Sequence, residues 1–225
     1  MVKKIAILHT SFVFVTVEQV INDLIAELIP DAEVIHFVDS DVLATVVREG
    51  RISDESASRM THLAQAAQAA SADIIFSACS SLGPALDVAA KSVTIPVVKI
   101  DEAMAQEAVL RSARIGVLAT VPTTLGPTSD LILAHAAAEG KKVTVEQALC
   151  EGAFDILMTG DRARHDVMVT EEAMKLAQRA DLIVLAQASM SRMAGPLQEK
   201  TKLPVLASPR MGIQYLARQV AGLAA

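Results

Sequence analysis

Tryptophan is absent from this chain, tyrosine occurs once, and aromatic residues make up 3% of its 225 positions. Lysine and arginine together number 20 against 26 aspartates and glutamates, a formal net charge of −6. A nucleic-acid partner calls for a basic face or stacking rings, and the composition supplies neither. The two cysteines, Cys79 and Cys150, form no C-x-x-C pair, and the five histidines are scattered without zinc-site spacing. Neither a structural disulfide nor a metal centre is expected from them. Long apolar runs are also missing. The longest charge-free stretch, Ile115 to Ser129, is too short to cross a bilayer and is interrupted by Pro122 and Pro127. The first residues carry two lysines and pass directly into a strand pattern, without the apolar core or small-residue cleavage site of a signal peptide. The cytoplasm is therefore the expected compartment, with no membrane partner.

What the chain does have is abundant apolar content, 52% of positions, dispersed in short runs. Its mean hydropathy is +0.41. Eight runs read as buried strands: Lys4–Leu8, Glu33–Phe37, Asp73–Ser77, Val97–Ile100, Arg114–Ala119, Val143–Ala148, Asp181–Ala186 and Val205–Ala207. Helical spacing lies between most of them. Val17, Val20, Ile21, Leu24, Ile25 and Leu28 form one such stripe, with Thr16 and Gln19 placed as a capping box. Alternating strands and helices predict an α/β fold with a parallel sheet covered on both faces.

The chain is also written twice. Ala72 to Ser81 and Ala180 to Ser189 share five of ten residues at an offset of 108. The same offset carries Ile95-Pro96-Val97 onto Leu203-Pro204-Val205, and an offset of 110 carries Ile5–Thr10 onto Ile115–Thr120. Buried strands resemble one another, but three segments in nearly one register indicate a duplication. The expectation is two similar parallel-sheet lobes related by a pseudo-two-fold axis. Residues 1–105, joined by a C-terminal helix at about 211–225, form the first, and 106–210 the second. In open α/β sheets ligands bind beyond the carboxyl ends of the strands, here expected in the cleft between lobes. The residues just past the strand ends are Thr10 and Ser11, Cys79 to Ser81, Asp101, Thr120 to Thr124, Gln187 to Ser189, and Ser208. This set is rich in hydroxyls, holds one thiol, and contains no lysine, glycine-rich phosphate loop or acidic metal cluster.

Chemically, Ser77 to Pro84 reads as strand, turn, helix, with Pro84 in the first helical turn and Ser81 or Gly83 as cap. A thiol at the positive end of a helix has a lowered pKa, and thiolate is both nucleophile and base. The alternative for Cys79 is a buried structural cysteine, the reading preferred for Cys150. Thr120-Val121-Pro122-Thr123-Thr124 follows a strand and opens the helix running towards Gly140. Its hydroxyls and N–H groups suit either a carboxylate cradle or a plain proline turn with capping threonines. Thr10 and Ser11 hold the equivalent place in the first half, with the same two readings. His9 reads as a packed strand-end histidine. His165 and Asp166 fall in a charged stretch, Asp161 to Asp166, that reads as a solvated loop. Met190, Met193 and Met211 read as core or pocket lining.

The duplicated lobes, the Ala78-Cys79-Ser80-Ser81 turn and the segment Ile115-Gly116-Val117-Leu118-Ala119-Thr120-x-x-Thr123-Thr124 together resemble the aspartate/glutamate racemase superfamily. This superfamily includes hydantoin racemase, maleate isomerase and arylmalonate decarboxylase. The resemblance runs over essentially the whole chain. It implies an enzyme without metal or cofactor, in which a cysteine from each lobe exchanges the proton α to a carboxylate. It also implies assembly into dimers or higher oligomers. Cys79 matches the first cysteine. The second motif reads Leu185-Ala186-Gln187-Ala188-Ser189, so Gln187 stands at the second cysteine's place, the pairing the offset of 108 also gives. Glutamine can donate hydrogen bonds to an oxyanion but carries no proton. The expected function is a racemase- or isomerase-type reaction on a small carboxylate or dicarboxylate, with Cys79 as acid/base or nucleophile. Gln187, Thr10, Ser11, Ser80, Ser81, Thr120, Thr123, Thr124, Ala188 and Ser189 are expected to line the site. The alternatives are a single-cysteine decarboxylase and a carboxylate-binding protein without catalysis.

Overall fold

The computed structural model describes residues 2–12, 15–16 and 19–223. Eight strands and ten helices alternate along them. The first half runs β1 (Lys4–His9), α1 (Val20–Leu28), β2 (Glu33–Val38), α2 (Val42–Glu49), α3 (Asp54–Ala69), β3 (Ile74–Ser77), α4 (Gly83–Ala89) and β4 (Val97–Lys99). The second runs α5 (Glu102–Arg111), β5 (Arg114–Ala119), α6 (Pro122–Ala138), β6 (Thr144–Leu149), α7 (Ala153–Met158), α8 (Arg162–Leu176), β7 (Leu182–Leu185), α9 (Ala194–Thr201) and β8 (Val205–Ala207), and ends in α10 (Ser208–Gly222). All eight expected strands form, with ends differing by a residue or so.

The strands make two four-stranded parallel sheets of the same order, β2-β1-β3-β4 and β6-β5-β7-β8. The central strands are apolar on both faces because helices cover both: Ile5 to Leu8, Ile74 to Phe76 and Leu182 to Leu185 are all buried. The internal repeat becomes a repeat of hydrogen bonds. Asp73 N donates to Lys4 O at 2.8 Å and Asp181 N to Arg114 O at 2.9 Å. Ile75 N meets Pro96 O, and Ile183 N meets Pro204 O, both at 2.9 Å. Ala78 N reaches Leu8 O at 3.1 Å and Ala186 N reaches Leu118 O at 3.0 Å. The repeated aspartate also has a side-chain task. Asp73 accepts from the backbone N–H of Lys4 at 2.8 Å, and Asp181 is gripped by Arg114 through two bonds of 2.9 and 2.6 Å.

The chain divides into two compact units, Met1–Ile100 with Pro209–Ala225, and Asp101–Ser208. Each has its own core. In the first, Ala6, Leu8 and Ile75 pack with Val42, Val46, Met60, Leu82 and Leu86. In the second, Leu118, Ile183 and Leu185 pack with Val169, Leu176, Met190, Met193 and Leu197.

Three local expectations are corrected. The Thr16–Gln19 capping box does not form: the Thr16 hydroxyl donates to Phe12 O at 3.0 Å, Gln19 reaches Val15 O at 3.3 Å, and α1 starts only at Val20. Val17 lies outside the described residues. Asp161 to Asp166 is no loop. Asp161 accepts from Arg164 N at 3.0 Å, capping α8, whose inward stripe is His165, Val169, Ala173 and Leu176. The last helix begins at Ser208, ahead of the Met211 suggested by its pattern.

Two glycines are there for close approach. A Cβ on Gly116 would stand 2.8 Å from Leu176 Cδ2, and one on Gly212 would meet the backbone carbonyl of Ile100. That second neighbour is main chain and cannot rotate away. Gly212→Ala is therefore expected to destabilise the protein by about 2 to 3 kcal/mol, as overpacking does, measured as a shift of the urea midpoint at constant slope. An unchanged midpoint would mean that α10 can slide off the end of β4.

Candidate functional site

Parallel strands deliver their C-terminal residues to one edge of each sheet. In the first unit, β1 leads to Thr10 and Ser11 and β3 to Cys79, Ser80 and Ser81, and the two sets lie on adjacent strands, since β1 and β3 pair directly. Cys79 leaves the sheet in extended conformation, φ −133°, ψ 110°, immediately after the last ladder bond. A short 3-10 turn, Ser80–Leu82, follows before α4, which has Pro84 in its first turn. The expected cap by Ser81 or Gly83 is corrected accordingly: Leu82 occupies that place with no side-chain bond, and a 3-10 turn stands between Cys79 and the helix. The thiol is partly exposed and its side chain rests on the first unit's core. Thr10, Ser80 and Ser81 are buried around it, and Ser11 is partly exposed. Ser77, the last residue of β3, keeps a buried hydroxyl with no hydrogen-bond partner.

Lys99 was missed by the sequence reading, which ran β4 on to Ile100 and counted no lysine at the strand ends. Lys99 is the final residue of β4 and sits in register with Ser77. Its stem passes over Gly83, 3.9 Å from where a Cβ would be, and its Nζ lies 2.9 Å from Asp87 Oδ1. Lys99 thus crosses the start of α4 and closes an ion pair with Asp87 in that helix. The signal was present in the sequence as a lone lysine closing an apolar strand.

The second unit carries the equivalent edge, with Thr120 to Thr124 after β5 and Gln187 to Ser189 after β7. Here the structure joins two expected site residues directly. Gln187 is 9% exposed. Its Oε1 accepts from Thr120 N at 2.6 Å, Val121 N at 3.1 Å and Thr120 Oγ1 at 3.2 Å, while Nε2 donates to Thr120 Oγ1 at 3.0 Å. The two N–H groups that the sequence offered to a substrate carboxylate are already satisfied from within. Thr124 caps its own turn, its hydroxyl donating to Val121 O at 2.8 Å, while Thr123 and Ser189 are partly exposed and Ala188 is buried. Asp101 and Ser208 are buried at the ends of β4 and β8.

The histidines divide clearly. His9 is 1% exposed and its Nε2 lies 3.0 Å from His36 Nδ1. Burial first, and the neighbouring His36 second, push its pKa down to about 4. Burial lowers His36 as well. Both are neutral at pH 7, and His9 is too weak a base for a proton carrier near neutrality. Because the folded-state pKa is below the unfolded value of about 6.5, the unfolded chain binds protons first on acidification. The associated stability is complete above pH 6.5 and is lost as the pH falls through about 4. About 2 to 3 kcal/mol is expected to disappear over that window, and His9→Gln should flatten the loss in urea titrations at successive pH values. Parallel curves for both proteins would contradict this.

His165 is fully buried, with Nδ1 2.8 Å from Asp166 Oδ1. Arg192, in the 3-10 segment Ala188–Met193 that follows Gln187, holds both oxygens of Asp166 at 2.6 Å. That guanidinium is the main reason the Asp166 carboxyl is held below its usual range. The network ties the Gln187 turn to the first turn of α8. Cys150 is buried after β6, and burial raises its thiol pKa. Among the described residues, no three His, Cys, Asp or Glu side chains gather as a metal site, and no helix is long and apolar enough to cross a membrane.

Comparison with known proteins fits this arrangement. Residues 15–216 match the family described as Asp/Glu/Hydantoin racemase. No curated protein sequence matches. A glutamate racemase isoform from Bacillus anthracis is similar in fold, with a TM-score of 0.73 at 14% identity over 99% of this chain and 84% of that one. Allantoin racemase from Klebsiella pneumoniae gives a TM-score of 0.68 at 16% identity, covering 99% of this chain and 89% of the other. Unliganded arylmalonate decarboxylase gives 0.56 at 14% identity, with 99% and 94% coverage.

Proposed function

The chain belongs to the Asp/Glu/hydantoin racemase family, and we propose that it is an enzyme acting without a cofactor on a small carboxylic acid, with the Cys79 thiolate as the group that moves a proton or attacks the substrate. One observation carries this reading: a partly exposed thiol stands at the carboxyl edge of a buried parallel sheet among the buried hydroxyls of Thr10, Ser80 and Ser81. A thiolate there can take a proton from the carbon next to a carboxylate, becoming a thiol and leaving an enediolate. The buried hydroxyls of Thr10, Ser80 and Ser81 are suited to hold the enediolate oxygens.

The position of Gln187 favours a second, narrower reading. At the place that the offset of 108 pairs with Cys79, the second unit presents a carboxamide that can neither give nor take a proton. A reaction that needs one proton carrier, such as loss of CO2 followed by protonation from Cys79, then fits better than racemisation by two. Small amino, hydroxy and aryl-substituted carboxylic and malonic acids should be screened for α-hydrogen exchange in D2O and for CO2 release. Turnover on at least one compound, abolished in Cys79→Ser, is expected. Exchange that survives the substitution would remove Cys79 from the mechanism, and silence across the panel would favour a binding protein.

A further inference from the structure

We propose that the outward face of α8 is a docking surface for a second copy of this chain, the two α8 helices crossing antiparallel about a two-fold axis at Val167. The inference concerns the second unit alone and does not depend on the reaction proposed above.

The inward stripe of α8 is His165, Val169, Ala173 and Leu176. Its exposed stripe, at helical spacing, is Asp161, Arg164, Val167, Glu171 and Lys175. Val167, at the centre of this face, is 58% exposed, and Met174 beside Lys175 is 41% exposed. The charges along the stripe run minus, plus, none, minus, plus. Read backwards they run plus, minus, none, plus, minus. An antiparallel copy therefore sets every charge against its opposite: Arg164 meets Glu171 of the second copy, Asp161 meets Lys175, and Val167 meets Val167. A parallel copy sets like on like, so the charges fix both direction and register. The helix's own needs explain the outer charges. Asp161 caps it, accepting from Arg164 N at 3.0 Å, and Lys175 lies in its last turn, so both suit the dipole. They do not explain the inner ones. Arg164 is a cation in the first turn, where the dipole disfavours it. Glu171 lies seven residues further on, about 10 Å along the axis and beyond ion-pair reach. Among the described residues neither side chain closes a salt bridge, whereas Lys175 is held by Glu172 of its own helix at 2.9 Å. A two-fold contact gives both a partner and sets two opposed dipoles side by side. One helix face is smaller than the roughly 1,200 Å² of a standard stable interface, so the dimer is reversible, with a dissociation constant on the order of 10 µM.

Sedimentation velocity of the full-length protein from about 1 to 200 µM brackets that constant and tests the proposal. Arg164→Glu sets glutamate against glutamate twice, and Glu171→Arg sets arginine against arginine. Each should raise the dissociation constant by about tenfold or more. A glutamate in the first turn suits the helix dipole, so the melting temperature of dilute Arg164→Glu should not fall, and lost association cannot be read as lost fold. Both substitutions in one chain should return the constant to within about threefold of native. An equimolar mixture of the two single variants, one carrying a fluorescent label, should form mixed dimers as tightly as the native protein pairs with itself, because both contacts are then opposite in charge. A native protein that stays monomeric throughout the range overturns the proposal and leaves the face to a different partner or to solvent. So does a native dimer whose constant neither single variant changes, since another face then holds it. A mixture of the single variants that fails to associate also overturns it, since the contact is then not two-fold.

Discussion

Cys79→Ser is expected to lower turnover of whichever acid the protein accepts by about 100- to 10,000-fold, the span associated with losing a positioned acid–base group. The hydroxyl is a far weaker acid than the thiol, so almost none of it is ionised near neutrality. Folding should be unaffected. Cys79 is partly exposed and occupies an extended position that serine adopts freely, and Ser80 and Ser81 beside it show that the turn accepts hydroxyls. The measurement is kcat and KM together with a urea denaturation curve. A fall in kcat with KM and midpoint unchanged assigns the thiol to the chemistry. Near-native turnover would show that Cys79 only shapes the turn.

Gln187→Cys should change both stability and reaction. The native protein is expected to invert aspartate and glutamate poorly, because a two-base racemase needs a proton carrier at each of two positions and Gln187 supplies none. His9 does not substitute for one, since its pKa is pushed down to about 4 and its Nε2 is engaged with His36. A thiol at 187 restores a carrier at the repeat-related position, and racemisation with incorporation of solvent deuterium should appear. The gain will be limited by placement, as an error of about 1 Å can cost on the order of 100-fold. The same substitution strips the acceptor from Thr120 N and Val121 N. Leaving two such donors unmet in a buried turn should cost about 2 to 4 kcal/mol. Rapid inversion of aspartate by the native protein would contradict this account of Gln187.

The strands and the duplication were legible in the sequence because they are local. A buried parallel strand must be apolar on both faces, and Ile5 to Leu8 or Leu182 to Leu185 can be recognised without knowing what they touch. The Ala-Asp and apolar-Pro-Val repeats marked the starts of equivalent strands, and Asp73 and Asp181 proved to fasten the starts of β1 and β5. What stayed hidden depends on contacts between distant residues. The bonds from Gln187 to Thr120 join positions 67 apart, so the sequence could propose both as site residues but not that one would occupy the other. His165 looked solvated because charges surround it in sequence. Yet Asp161 starts a helix there, and the helical period turns His165 inward with Val169 and Ala173. Lys99 was overlooked for a reason of one residue, since a strand ending at Ile100 leaves it inside and a strand ending at Lys99 puts it at the edge.

The central claim is that Cys79 is an ionised thiol beside a carboxylate site, and its rate of alkylation tests that most directly. Iodoacetamide labelling followed by peptide mass spectrometry reads Cys79 and Cys150 in one sample, with the buried Cys150, whose pKa is raised by burial, as the internal reference. The account predicts labelling of Cys79 at pH 7 faster than that of free cysteine. It also predicts slowing by about tenfold when a carboxylic acid that the protein turns over is added at saturation. Labelling of Cys79 at or below the rate of free cysteine, with no protection by any carboxylic acid in the panel, would contradict it.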